Sequence, residues 1–261
     1  AQLFEQVIHI GCLHPGPAPM SFLPYKTNNI YFVPQEPTGG TRFWDKLRIV
    51  EHVPGYAKTI LRELPGVDMV HVRAPANIPL IAIILLAFVR TPQLRWVKYA
   101  GNWQPTRREA WSSRFQRWWL KRGFHRGWVT VNGEWPDQPA HVRSFINPCL
   151  TDEEVQIAAE IAQAKTLSHP LRLLFVGAVN GAKGVGRALQ VVQRLRQQAL
   201  PVIFDIIGDG SSRNEFELLA AQLGIVDCVN FHGALPRTKL DDFYAQAHIM
   251  LLPTGGEGWP K

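Results

Sequence analysis

The residues best suited to chemistry sit where apolar runs give way to glycine. The run Leu171-Arg172-Leu173-Leu174-Phe175-Val176 ends at Gly177. Asn180-Gly181-Ala182-Lys183-Gly184 follows, ahead of a helical pattern with Val185, Leu189 and Val192 on one face. A glycine-bearing loop that feeds a helix N-terminus gathers backbone N–H groups and the positive end of the helix dipole at one point, and Lys183 adds a full charge. Such a seat suits a diphosphate. A surface lysine beside an ordinary turn accounts for the same residues equally well. Phe204-Asp205-Ile206-Ile207 ends at Gly208-Asp209-Gly210, which alone reads as a turn. Val229-Asn230-Phe231-His232 ends at Gly233, and His232 alone reads as a satisfied structural histidine. Last, Ile249-Met250-Leu251-Leu252 runs into Pro253-Thr254-Gly255-Gly256 and then a single carboxylate, Glu257, followed by Gly258. A lone carboxylate on a glycine-lined loop at a strand's carboxyl end is where open α/β folds place ligands. No Asp-x-Asp pair occurs, so a metal-bound diphosphate has no evident ligand set.

These turns need a scaffold of parallel strands, and the pattern supplies one. Short apolar runs predict strands at Gln6–Ile10, Ile30–Val33, Met69–Val72, Trp96–Tyr99, Trp128–Val131, Leu171–Val176, Val202–Ile207, Cys228–His232 and Ile249–Leu252. Helical patterns fall between them at Thr41–Leu64, Pro79–Arg90, Thr106–Phe124, Asp152–Ala164, Gly184–Gln198, Arg213–Leu223 and Arg237–Ala247. Alternation of this kind predicts an α/β fold of parallel sheets covered by helices on both faces. Thr151 and Glu154 have capping-box spacing at the start of one helix. Pro148 and Pro170 bracket a connector, and we expect one α/β domain over residues 1–167 and a second over 168–261.

Composition narrows the classes. With 261 residues and 46% hydrophobic content the chain can build substantial cores. Cys12, Cys149 and Cys228 are far apart and odd in number, which supports neither a disulfide framework nor a zinc site and points to a reducing compartment. The longest apolar run, Ile78 to Val89, is shorter than the ~20 residues a membrane span needs. No charged-then-apolar leader is visible. Net charge +7 and a pI near 9.5 favour an anionic partner.

Taken in order, Val176-Gly177, Lys183-Gly184, Ile207-Gly208-Asp209-Gly210, Phe231-His232-Gly233 and Leu252-Pro253 with Glu257-Gly258 resemble the donor-binding domain of family 4 glycosyltransferases, retaining enzymes of GT-B fold. The resemblance implies two doubly wound Rossmann-type domains facing a cleft. It implies a nucleotide-diphosphate sugar as donor substrate, with no further cofactor and no metal. It assigns donor diphosphate contacts to Gly177, Lys183, Gly258 and Trp259, the nucleotide base to Gly233, Ala234 and Leu235, and the transferred sugar to Glu257. In this family Glu257 would open a Glu-x7-Glu loop whose second member falls beyond Lys261, and the first strand with its glycine-rich loop has no counterpart after Ala1. The expectation is a chain cut short at both ends, with the second domain incomplete and this piece inactive. Ala178 stands where the family usually has Arg, which removes half of the cationic clamp on the diphosphate.

The first half resembles the family more loosely. Asp68 and His71 fit its Asp-x-x-x-His strand end, but the next strand reaches Tyr99 and Asn102 with no histidine, so no catalytic histidine is carried over. Residues 103–128 are rich in Arg and Trp. Trp111, Phe115, Trp118 and Trp119 share one helical face, with Arg107, Arg114, Arg117 and Lys121 on a flanking stripe. Three readings stay open: an aromatic face packed on the sheet, an interfacial helix on anionic lipid, and a single-stranded nucleic-acid surface. The function expected from the whole is transfer of a sugar to a glycan or lipid-linked acceptor by a cytoplasmic protein, peripheral on the membrane's inner face. The alternatives are a basic nucleic-acid-binding protein on a Rossmann-like scaffold and a non-catalytic fragment of the glycosyltransferase fold.

Overall fold

The computed structural model describes residues 3–16, 24–38, 49–104, 109–145 and 150–254. These fall into two compact units that part between residues 145 and 150.

In the first unit, β1 (Val7–Cys12) pairs in parallel with β2 (Ile30–Gln35). A second parallel sheet follows in chain order: β3 (Met69–Ala74), β4 (Leu94–Tyr99), β5 (Trp128–Asn132) and β6 (Val142–Phe145). Helix α1 (Ile49–Glu63) precedes β3, α2 (Asn77–Leu85) links β3 to β4, and α3 (Trp111–Lys121) links β4 to β5. Alternate strand residues point to one face. Val72, Ala74, Val97, Tyr99, Val129 and Val131 form a core there with Tyr56, Ile60, Ile83, Leu86 and Leu120 from the helices. The sequence pattern misses β6, whose four residues include Arg143 and Ser144 and alternate for barely one period.

Helix α3 turns an unexpected side inward. Its buried residues are Gln116, Arg117 and Leu120, while Trp111, Phe115 and Trp118 are exposed. Polar groups can be buried here because each has a partner. Gln116 accepts the Ala76 N–H at the start of α2, and Arg117 forms a bidentate ion pair with Glu109 and donates to Asn102 O. Two readings of this helix are therefore corrected. Trp111, Phe115 and Trp118 are not packed on the sheet, whereas Trp119 packs against the core and donates to Ile83 O, and Arg117, 5% exposed, is no part of a cationic rim. Arg114 and Lys121 are exposed, and Arg107 lies outside the described residues.

The amino edge of this sheet is tied together by a second buried arginine. Arg95 donates to the carbonyls of Pro92, Leu86, Val89 and His125, so it satisfies chain ends that leave α2 and α3 without partners of their own. Beside it, His125 is fully buried, and burial, followed by the neighbouring His141, pushes its pKa down to about 4. The imidazole is therefore neutral at physiological pH.

The second unit opens with α4 (Asp152–Ala164), whose capping box is formed as expected between Thr151 and Glu154. The sequence places the domain boundary after this helix, whereas its contacts belong to the second unit. Arg237 pairs with Glu154, and Lys165 donates to the carbonyls of Tyr244 and Ala247. The remaining elements are β7 (Leu171–Val176), α5 (Val185–Gln197), β8 (Val202–Ile207), α6 (Arg213–Gln222), β9 (Val229–Gly233), α7 (Leu240–Gln246) and β10 (Ile249–Met250). All pairings are parallel, in the order β10-β7-β8-β9. Leu173, Phe175, Phe204 and Ile206 pack under α5 and α6 on one face. Leu174 and Ile207 pack with Leu235, Leu240, Phe243 and Ala247 on the other. The sheet is thus covered on both faces.

Candidate active site

The order β9-β8-β7-β10 is that of a Rossmann half, in which the fourth strand is added on the far side of the first. The direction of winding reverses between β7 and β10, and the loops leaving their carboxyl ends part there to open a crevice. Both loops are held close. Gly184, with φ +78°, caps α5, and a Cβ on it would overlap the carbonyl oxygen of Pro253. The Arg187 guanidinium, one turn into α5, donates to that same oxygen through Nε at 2.7 Å and also through Nη2.

The turn after β7 is shaped by its own side chains. Asn180 Oδ1 accepts the Lys183 N–H at 3.1 Å and closes a short 3-10 turn over Gly181–Lys183. The half-buried Lys183 is thereby set directly before the first N–H groups of α5. Gly177 N donates to Ile207 O, Val179 N donates to Asp209 O, and Gly208 N donates to Gly233 O at 2.8 Å. The three strand ends therefore converge on one edge. Gly177, Lys183 and Gly233 lie along it as the sequence expects, with Gly233 at φ +74°. Ala234 is exposed beside them, while Leu235 leans into the apolar cluster with Leu174 and Ile207. Glu257, Gly258 and Trp259 lie outside the described residues.

Three residues of this edge escape a reading of the sequence. Arg187 is one; its position three residues after Gly184, on the first turn of the helix, is the available signal. Arg213, at the start of α6, donates to Phe231 O at the end of β9 and pairs with Glu217. Its Nη1 is the nearest atom to a Cβ built on Gly233. Asp205 is buried within β8 and bonds His232 Nε2 at 2.7 Å and Asn230 Nδ2 at 3.1 Å. That pairing agrees with His232 as a structural residue. Asp209, in the turn after β8, spends one oxygen on the Gly210 N–H.

In the first unit, Tyr99 is buried, its hydroxyl donates to Ser113 O, and burial pushes its pKa up to about 12. Asn102 Oδ1 accepts the Gln104 N–H. Both hold local structure. Among the described residues no cluster of three His, Cys, Asp or Glu side chains could hold a metal ion, and no helix is long and apolar enough to cross a membrane.

Comparison with known proteins matches residues 157–261 to the family of glycosyl transferases group 1. The resemblance to this family lies in the carboxyl-terminal part of the chain. An amylovoran biosynthesis glycosyltransferase of Erwinia amylovora is 32% identical over 88 residues, which is 34% of this chain and 22% of that one. Among solved structures, sucrose-phosphate synthase from Thermosynechococcus elongatus superposes with a TM-score of 0.64 at 15% identity, covering 91% of this chain and 63% of that one. HepE of Anabaena, solved in complex with UDP and glucose, gives 0.56 at 13% identity, covering 88% and 62%. These structural likenesses concern the fold, which is that of GT-B glycosyltransferases. The chain spans less than a quarter of the length of the curated relative and less than two thirds of either structure. The matched segment begins within α4 and contains the whole β7–β10 edge.

Proposed function

We propose that this chain is part of a retaining glycosyltransferase that moves a sugar from a nucleoside-diphosphate donor to a glycan or lipid-linked acceptor without a metal ion. The observation that carries this reading is the β7/β10 reversal, where Lys183, the N-terminus of α5 and the Pro253 loop meet at one edge. The leaving diphosphate lies against the first N–H groups of α5, and Lys183 neutralises the charge that grows as the glycosidic bond breaks. Glu257 orients the sugar, and Gly258 and Trp259 complete the cradle. The base rests beside Gly233 and Ala234. Ala178 contributes no charge, so the α5 dipole and Lys183 carry more of the diphosphate than in relatives with an arginine there. Arg187 fixes the Pro253 loop that leads to Glu257. The acceptor hydroxyl attacks from the face the diphosphate leaves, which retains the anomeric configuration. In this reading the protein works on the inner face of a membrane, as a peripheral protein.

The test is calorimetry with nucleoside diphosphates on wild-type and Lys183→Ala chains. One charged hydrogen bond is worth roughly 1.5–3 kcal/mol, so affinity falls about 10- to 150-fold. Equal affinity in the two proteins would remove Lys183 from the donor site.

A further inference from the structure

The outward face of α3 continues into the amino edge of the first sheet as one aromatic surface. Phe115 lies 5.7 Å from Trp118, Trp118 lies 5.7 Å from Phe124, and Trp119 lies 4.8 Å from Phe124, as ring centroids. An open groove of ≈ 410 Å³ then joins Trp119 and Phe124 to Phe88, after α2. Trp111 and Phe88, near the two ends of this strip, are 82% and 77% exposed. Isolated exposed apolar side chains are ordinary, but a connected aromatic surface of this extent marks an interaction site.

Its surroundings are basic. Arg90, Arg114, Lys121, Arg122 and Arg126 are exposed around the strip, and the Arg114 guanidinium lies 5.1 Å from the Trp111 ring centre. Glu109 is the sole acidic residue between Leu86 and Trp128, and it is spent on Arg117. Among the described residues none of Arg90, Arg114, Arg122 and Arg126 forms an ion pair. An apolar centre with a cationic border is complementary to an anionic bilayer: the rings enter below the headgroups and the guanidinium groups meet phosphates. A nucleic-acid surface needs its positive charge along the groove that tracks the backbone, whereas here the charge borders an aromatic ridge.

We propose that this surface, Trp111, Phe115, Trp118, Phe124 and Phe88 with Arg90, Arg114, Arg122 and Arg126, docks the protein on an anionic lipid bilayer. The inference rests on the peripheral placement given above and names the face that makes it. The strip runs along the outer side of α3, from Trp111 at the helix start to Phe124 and Phe88 at the amino edge of the first sheet.

Flotation with vesicles tests it, using no donor sugar, so a failure here leaves the transfer reaction untouched. The chain binds vesicles of equal parts phosphatidylcholine and phosphatidylglycerol, ignores vesicles of phosphatidylcholine alone, and releases in high salt. Reversing three border charges (Arg90→Glu, Arg114→Glu, Arg122→Glu) lowers binding on the order of 100-fold. Phe88→Ser with Trp118→Ser lowers it at least roughly tenfold. The single exchange Trp111→Ser, at a side chain almost fully in solvent, weakens binding without touching the core and keeps the test decisive if the multiple variants lose structure. Equal binding to both kinds of vesicle overturns the proposal. So does binding to neither, and so does a single-stranded oligonucleotide that displaces the chain from vesicles while all three variants bind lipid like wild type.

Discussion

Exchanging Arg95 for methionine is expected to destabilise the first unit by roughly 3–5 kcal/mol, the cost of leaving buried partners of a charged group unpaired. The size follows from what the guanidinium does. It serves the carbonyls of Pro92, Leu86, Val89 and His125 at once. Methionine fills similar volume and offers none of them a donor, and the chain turns that follow α2 and α3 lose their common anchor. Lysine keeps the charge but has one compact head, which reaches fewer of four diverging oxygens, so Arg95→Lys recovers less than half of the loss. Equilibrium urea unfolding followed by tryptophan fluorescence reads the effect cleanly, because residues 150–254 contain no tryptophan. A loss under about 1 kcal/mol, within the range of a single ordinary hydrogen bond, would show that water replaces the guanidinium without penalty.

The second unit has its own point of no tolerance at Gly208. Its φ of +132° is open to glycine and strained for any other residue, and a Cβ there would overlap the carbonyl oxygen of Gly177. Its N–H meanwhile ties β8 to Gly233 O. Strain and overlap together predict a loss of roughly 2–5 kcal/mol for Gly208→Ala. Gly181→Ala is the matched control: it lies on the same edge, and nothing stands within 4 Å of its added Cβ. Circular dichroism melts should separate the two variants by many degrees, with Gly181→Ala near wild type. Two superimposable melts would mean that the β7 and β8 ends part without cost, and that the edge is not the fixed platform described above.

Much of the second unit can be read from its residues. Strands β7 and β8 and helix α4 begin and end where apolar runs and the Thr151–Glu154 box place them. A buried parallel strand must be continuously apolar and must stop where the chain turns, so glycine marks its end. For that reason Gly177, Lys183 and Gly233 were also legible as edge residues. Arg187, Arg213 and Asp205 were not. Each acts through a backbone or cross-strand partner far along the chain: Pro253, Phe231 and His232 respectively. No local spacing announces such partners. Helix α3 misleads for a related reason. Amphipathic logic turns tryptophan inward, but Gln116 and Arg117 are buried because Ala76 N–H and Glu109 satisfy them. Glu109 lies eight residues before Arg117, outside the i+4 spacing by which ion pairs are read from a helix.

In the proposed reaction a nucleoside diphosphate binds at the carboxyl edge of the second sheet, between the β7 and β10 loops. Titration of UDP, GDP and ADP into isotope-labelled chain, followed amide by amide, tests it most directly. At least one of the three should move the resonances of Gly177, Lys183, Gly184, Val185, Gly233 and Ala234 together, on one saturating curve. Gly123 and Gly127, at the amino edge of the first sheet, should stay in place. Shifts confined to the first unit, or no shifts with any of the three nucleotides, would contradict it.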